Sequence, residues 1–142
     1  MNRVPKTDLV VSWDESFRVG VKSIDDQHKF LVDLIAKLQS AMASGTARTI
    51  LVELIADLIL YTKYHFAWEE QILEQHAYPE LETHRAQHAD LTRQVLELQA
   101  QLESSRLKIG SPVLVFLRHW LLDHICGSDR LFGPYLNSRS VT

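Results

Sequence analysis

The chain has 142 residues, 46% hydrophobic and 23% charged, with a formal net charge of −3. That length suits one domain with a core that needs no disulfide, and the mixed, slightly acidic charge leaves no basic stripe for a nucleic-acid backbone. The opening MNRVPKTDLVVSWDE has too short an apolar run for a secretory signal, and no later stretch stays apolar for a membrane span. The expectation is therefore a cytoplasmic protein with neither nucleic acid nor membrane as partner.

Residues 1–22 read as an N-terminal arm. The first helix is expected from Ser23, with Asp25 and Asp26 in the first turn at the positive end of the helix dipole, to Ser44-Gly45. A second should run from Thr46 to the Ala77-Tyr78-Pro79 break, where proline removes a donor and turns the preceding residue away from helix. A third runs from Pro79 to about Ser105. The fourth opens at Ser111-Pro112, serine as cap and proline at the first helical position, and stops at Gly133-Pro134, leaving 135–142 as a C-terminal tail. No segment reads as a strand, and no repeat or linker divides the chain. The fold class expected is all-α: an antiparallel up-down-up-down four-helix bundle over residues 23–134, preceded by the arm.

Core-facing helices of a bundle repeat apolar residues at alternating steps of three and four. The first helix offers Ile24, His28, Leu31, Ile35, Leu38 and Met42, and the second offers Leu51, Ile55, Leu58, Thr62, His65, Glu69 and Ile72. The third carries Leu81, His84, His88, Leu91, Val95, Leu98 and Leu102, and the fourth Val113, Leu117, Trp120 and His124. Each stripe thus holds at least one histidine in register with the core, and a buried imidazole or carboxylate must be hydrogen-bonded, paired or bound to a metal.

Height along the bundle matters as much as face. His28 lies near the start of the first helix, His65 and Glu69 late in the second, His84 and His88 early in the third, and His124 and Asp129 late in the fourth. In an antiparallel bundle these are all the same end, within a slab of roughly 10 Å. Both members of His65/Glu69 and of His84/His88 project from one face, being four residues apart. Asp129 follows His124 by five, which is not same-face in a regular helix, so either a local distortion near Gly127 or a long reach is expected. A single histidine on an apolar face is usually a core residue with a hydrogen bond. Seven ligand types converging from four helices read instead as a metal site.

The segments Ile24-Asp25-Asp26-Gln27-His28, His65-Phe66-Ala67-Trp68-Glu69-Glu70, Tyr78-Pro79 followed by His84 and His88, and Trp120-Leu121-Leu122-Asp123-His124-Ile125 with Asp129 resemble the hemerythrin family, in its single-domain bacteriohemerythrin form. The resemblance covers nearly the whole chain, including Trp13 and Gly20-Val21 in the arm. It implies two iron ions with a bridging oxo or hydroxo group, Glu69 and Asp129 bridging both, His84, His88 and His124 on one ion and His28 and His65 on the other. Counting bonds against an octahedral preference, the first ion is then full and the second one bond short, which points to dioxygen as the ligand. Leu31, Phe66, Trp120, Leu121 and Ile125 are expected to wall that position, by helical adjacency to the ligands.

Other chemistries lack their residues: no phosphate-cradling GxxxxGK[ST], no dinucleotide GxGxxG, no HExxH and no Glu-x-x-His. The last absence favours reversible binding over oxygen activation, because fewer anionic ligands stabilise high-valent iron less. The expectation is thus a non-enzymatic oxygen carrier or store. Alternatives are an oxygen or redox sensor acting through a protein partner that receives oxygen or a redox signal, and a weak di-iron peroxidase or detoxification enzyme. His76 and His119 read as solvated, Glu70 as a surface carboxylate, Trp13 and Trp68 as packing aromatics, and Cys126 as a small apolar filler.

Overall fold

The computed structural model describes residues 12–104 and 108–142. After a single helical turn at Glu15–Phe17 come α1 (Lys22–Ala43), α2 (Arg48–Gln75) and α3 (Leu81–Glu103). The fourth rod is composite: α4 (Ser111–Asp123), a π-helical segment (His124–Asp129) and α5 (Arg130–Ser138) follow one another without a break. α1 packs on α2, α2 on α3 and α1 on α4, giving the expected all-α antiparallel bundle, with no strand among the described residues. No helix among these residues is long and apolar enough to cross a membrane.

The stripes bury as their periodicity requires. Ile24, Leu31, Ile35 and Leu38 of α1, Leu51, Ile55 and Leu58 of α2, Val95, Leu98 and Leu102 of α3, and Val113 and Leu117 of α4 are all in the core. At the end of α2 the step is four, not three: Leu73 is fully buried and the expected Ile72 only partly so. Most of the apolar core forms one cluster, while Val19, Val21, Ile24, Leu73, Phe132 and Leu136 form a second at the bundle's end. The polar residues of the stripes are flanked by the two, so apolar side chains close them off from water along the bundle axis.

Helix ends follow local chemistry with several corrections. α1 starts at Lys22, without a side-chain cap and not capped by Ser23. The expected dipole residue Asp25 instead accepts from the backbone N–H groups of Val19 (2.7 Å) and Gly20 (3.2 Å), fixing the arm to α1. α1 ends as expected, with Gly45 at φ 73° after the Ser44 cap and Thr46 N bonding back to Ala41 O. α2 closes the same way, except that the left-handed residue is Ala77, at φ 53°. The expected end of α3 at Ser105 lies outside the described residues; α3 ends at Glu103.

The expected stop at Gly133-Pro134 is wrong. Helix α5 runs through Pro134 to Ser138. A proline in a helix crowds the Cβ of the residue before it, and Gly133 has none. What Gly133 does provide is contact: a Cβ there would lie 1.9 Å from the Val19 carbonyl oxygen, so only glycine lets the arm cross α5 at this point. The crossing is tied by Asn137 Nδ2 donating to Gly20 O (2.9 Å) and by the Arg130 guanidinium donating to Ser16 O.

Candidate metal centre

All seven expected ligands meet between the two apolar clusters. His28 comes from α1, His65 and Glu69 from α2, His84 and His88 from α3, and His124 and Asp129 from the two ends of the π segment. None is more than 7% exposed, and His28, Glu69 and Asp129 are fully buried. In a regular α-helix five residues turn a side chain about 140° from its starting face. The π segment, with its wider turn, brings residues five apart nearly into line. Asp129 Oδ1 accordingly lies 2.9 Å from His124 Nε2, so the local distortion, and not a long reach, solves the offset.

The ligand atoms fall into two groups, each within 4.8 Å: Glu69, His84, His88, His124 and Asp129, and His28, His65, Glu69 and Asp129. Glu69 and Asp129 belong to both because each sends one oxygen to each group. Glu69 Oε1 faces His84 (3.1 Å) and His88 (3.6 Å), while Oε2 faces His65 (2.5 Å) and His28 (3.4 Å). Asp129 Oδ1 faces His84 (3.0 Å) and His124 (2.9 Å), while Oδ2 faces His28 (2.9 Å).

Two of the Glu69 contacts, those with His28 and His84, have hydrogen-bond geometry, but the close contacts of Asp129 do not. Neither oxygen of Asp129 takes an aligned hydrogen bond, although imidazole nitrogens stand within 3.0 Å of both. Tautomers sharpen the point. The Nδ1 of His65 is 2.7 Å from the Gln27 side-chain oxygen, and that of His88 is 2.9 Å from Glu70 Oε2. Both Nδ1 atoms must therefore carry the proton, leaving Nε2 as a bare lone pair. For His88 that lone pair faces His124 Nε2 at 3.1 Å and can accept from it, whereas for His65 it faces the carboxylate oxygen Glu69 Oε2, a second acceptor. Acceptors pointed at one another in a buried site cost several kcal/mol unless positive charge lies between them.

Protons can supply part of that charge. Burial works against the charged form of His28 and of His84, yet the carboxylates of Asp129 and Glu69 in close contact with both rings outweigh it and push both up to about 9. Burial keeps His65 low. Burial also opposes ionisation of Glu69 and Asp129, but the surrounding imidazoles hold both carboxyls well below the usual range. A cation bound by each group would take over this role. Five N/O donors in one set and four in the other, imidazole with carboxylate, suit divalent first-row metals.

Phe66 stacks on His88 with ring centres 3.9 Å apart and planes at 6°, and Phe132 meets His84 edge-on at 5.4 Å. Leu31, Phe66, Trp120, Leu121 and Ile125, the five expected wall residues, line one small cavity with His28, His65, His124 and Asp129. A water-sized sphere can centre itself over only ≈ 10 Å³ of it, about what one such molecule needs. Trp120 Nε1 is committed to Leu91 O at 3.0 Å, so the wall offers no indole donor to the cavity.

Three participants went unassigned by sequence reasoning. Leu91 also lines the cavity and was detectable, since it sits on the apolar stripe one turn after His88. Gln27 and Glu70 carried no such signal, as each neighbours a ligand in sequence and lies off the stripe. The reading of Glu70 as a surface carboxylate is corrected: it is partly buried and accepts from His88. His76 is likewise only partly exposed, bonding Ile72 O through Nδ1 (2.9 Å) at the end of α2, and takes no part in the centre. His119 is exposed, 3.9 Å from Asp123. Trp13 packs on the main core beside Phe17, Cys126 is a free thiol at its edge, and Trp68 is 36% exposed.

Comparison with known proteins finds similarity over most of the chain. A family model described as the hemerythrin HHE cation binding domain matches residues 19–136. The chain is 32% identical over 130 residues to the bacteriohemerythrin of Methylococcus capsulatus, covering 91% of this chain and 98% of the relative. It is 31% identical over 117 residues to the myohemerythrin of Riftia pachyptila, covering 82% and 86% respectively. A crystal structure of wild-type hemerythrin superposes with a TM-score of 0.81 at 30% identity, covering 88% of this chain and 96% of that one.

Proposed function

Since this chain belongs to the hemerythrin family, we propose that it binds dioxygen reversibly at a non-haem di-iron centre, as a carrier or store. His84, His88 and His124 would hold one iron, His28 and His65 the other, and Glu69 and Asp129 would serve both. When bound, the iron pair with its oxo or hydroxo bridge supplies an unsaturated coordination position and the two electrons that reversible dioxygen binding draws on.

One observation carries the reading: the small apolar cavity borders both histidines of the four-donor set, His28 and His65, but only His124 of the three histidines in the five-donor set. The donor-poor ion is thus the one with space beside it. The cavity fits a diatomic ligand and little else. Its aliphatic and aromatic wall excludes water, which slows irreversible oxidation of a reduced metal. Gln27 holds the His65 ring and Glu70 the His88 ring, so both present Nε2 to the metal positions without competing protons.

The test is spectroscopic. The iron-loaded protein is reduced without oxygen, exposed to air and then degassed while its visible absorption is followed. A change that appears in air and reverses on degassing is the expected result. Irreversible oxidation on first exposure would overturn carriage in favour of sensing or turnover, and one metal per chain would overturn the paired site.

A further inference from the structure

The ligand imidazoles differ in what stands behind them. His88 donates to a carboxylate, Glu70, at 2.9 Å, and His65 donates to a neutral amide, Gln27, at 2.7 Å. Buried His28 Nδ1 meets no partner at all. An anion therefore backs the five-donor set, while an amide or nothing backs the histidines of the four-donor set. Among the described residues, Glu70 is the one carboxylate outside the ligand set that reaches a ligand imidazole.

Glu70 is also held in place. Arg85 Nε lies 3.4 Å from Glu70 Oε1, and the other two nitrogens of the same guanidinium reach Glu74 (3.1 Å) and Glu82 (2.8 Å). One positive charge is shared among three carboxylates, so Glu70 keeps much of its negative charge. Phe66, stacked on the His88 ring, fixes the plane in which that imidazole donates.

Resting on the di-iron reading above, we propose that Glu70 is a positioning residue that acts through His88 to make the ion of His84, His88 and His124 the more easily oxidised of the pair. An imidazole donating to a carboxylate gains imidazolate character and becomes a stronger electron donor to its metal, favouring ferric over ferrous iron. The step concerned is loss of one electron from a ferrous ion, which passes to dioxygen in air or to an electrode mediator in the test. The consequence is an order of events: the ion with more donors gives its electron first.

The test compares wild type, Glu70→Gln and Glu82→Gln, all iron-loaded. Glutamine keeps the shape of Glu70 and an acceptor oxygen but removes the charge, and Glu82 is an exposed partner of the same arginine. Iron per chain is measured first, then the two one-electron steps by mediated spectroelectrochemical titration. All three should hold two irons. In Glu70→Gln the lower-potential step should move positive by about 59 mV, a tenfold shift toward ferrous iron, while Glu82→Gln, which only leaves Glu70 a larger share of the Arg85 charge, should move it the same way by less. Gln27→Glu, which puts the anion behind His65 instead, should draw the two steps together. Unmoved steps in Glu70→Gln, equal movement of both, or an unchanged separation in Gln27→Glu would overturn the proposal while leaving the di-iron reading intact. Fewer than two irons in wild type would overturn that reading, and this one with it.

Discussion

Replacing Gly133 with alanine probes how the arm is joined to the metal centre. The added Cβ would stand 1.9 Å from Val19 O, so arm and α5 must part by about 1 Å to reach even the tightest real contact. Neither side yields freely. Val19 and Gly20 are bonded to Asp25, and Gly20 O and Ser16 O to Asn137 and Arg130 of α5. Overpacking costs about 1–3 kcal/mol, and each hydrogen bond lost adds about 1 kcal/mol. The expected destabilisation is therefore about 2–4 kcal/mol. With a urea dependence of about 2 kcal/mol per molar, the unfolding midpoint should fall by about 1–2 M. The melt is run on metal-free protein, since bound metal would add its own stabilisation. Gly127→Ala is the control: in the same composite helix, a Cβ at Gly127 meets nothing within 4 Å, and alanine there should be neutral or stabilising by up to about 1 kcal/mol. Asp129 sits one turn before Gly133, so iron occupancy should also drop in Gly133→Ala. A midpoint equal to wild type, or an equal fall in Gly127→Ala, would refute the close-approach argument.

Other substitutions test separate parts of the argument. Glu69→Ala should lose iron more severely than His28→Ala, because Glu69 gives an oxygen to both groups and His28 serves one; equal retention by metal analysis would contradict the shared role. Leu91, with Trp120 and His124, stands between the cavity and a surface groove lined by Asp90, Gln94, His119 and Asp123. Leu91→Ala should keep both irons yet speed irreversible oxidation of the reduced protein in air several-fold, and an unchanged rate would remove Leu91 from the barrier. Ala77 adopts φ 53° at the end of α2, a conformation costing an L-residue about 1 kcal/mol that glycine avoids. Ala77→Gly should raise the melting temperature by a few degrees, and a lower value would show that the chain's loss of freedom outweighs the strain.

The bundle and all seven candidate ligands were legible in the chain because they rest on local geometry. A helix period sets which residues share a face, and short connections set which ends meet, so His28, His65, Glu69, His84, His88 and His124 could be placed by counting. Even the π segment was foreshadowed, since the spacing of five between His124 and Asp129 fits no regular turn. Tertiary structure decided what counting cannot reach. Gly133-Pro134 has the local form of a helix stop, yet its meaning comes from Val19, far away in sequence, crossing at contact distance. Gln27 and Glu70 lie off the apolar stripes, and only the approach of neighbouring helices puts them behind His65 and His88. The division of each carboxylate, one oxygen to each group, is also a product of packing. Periodicity assigns a residue to a face, but the atom it offers and the partner behind it depend on how closely and at what angle separate elements meet.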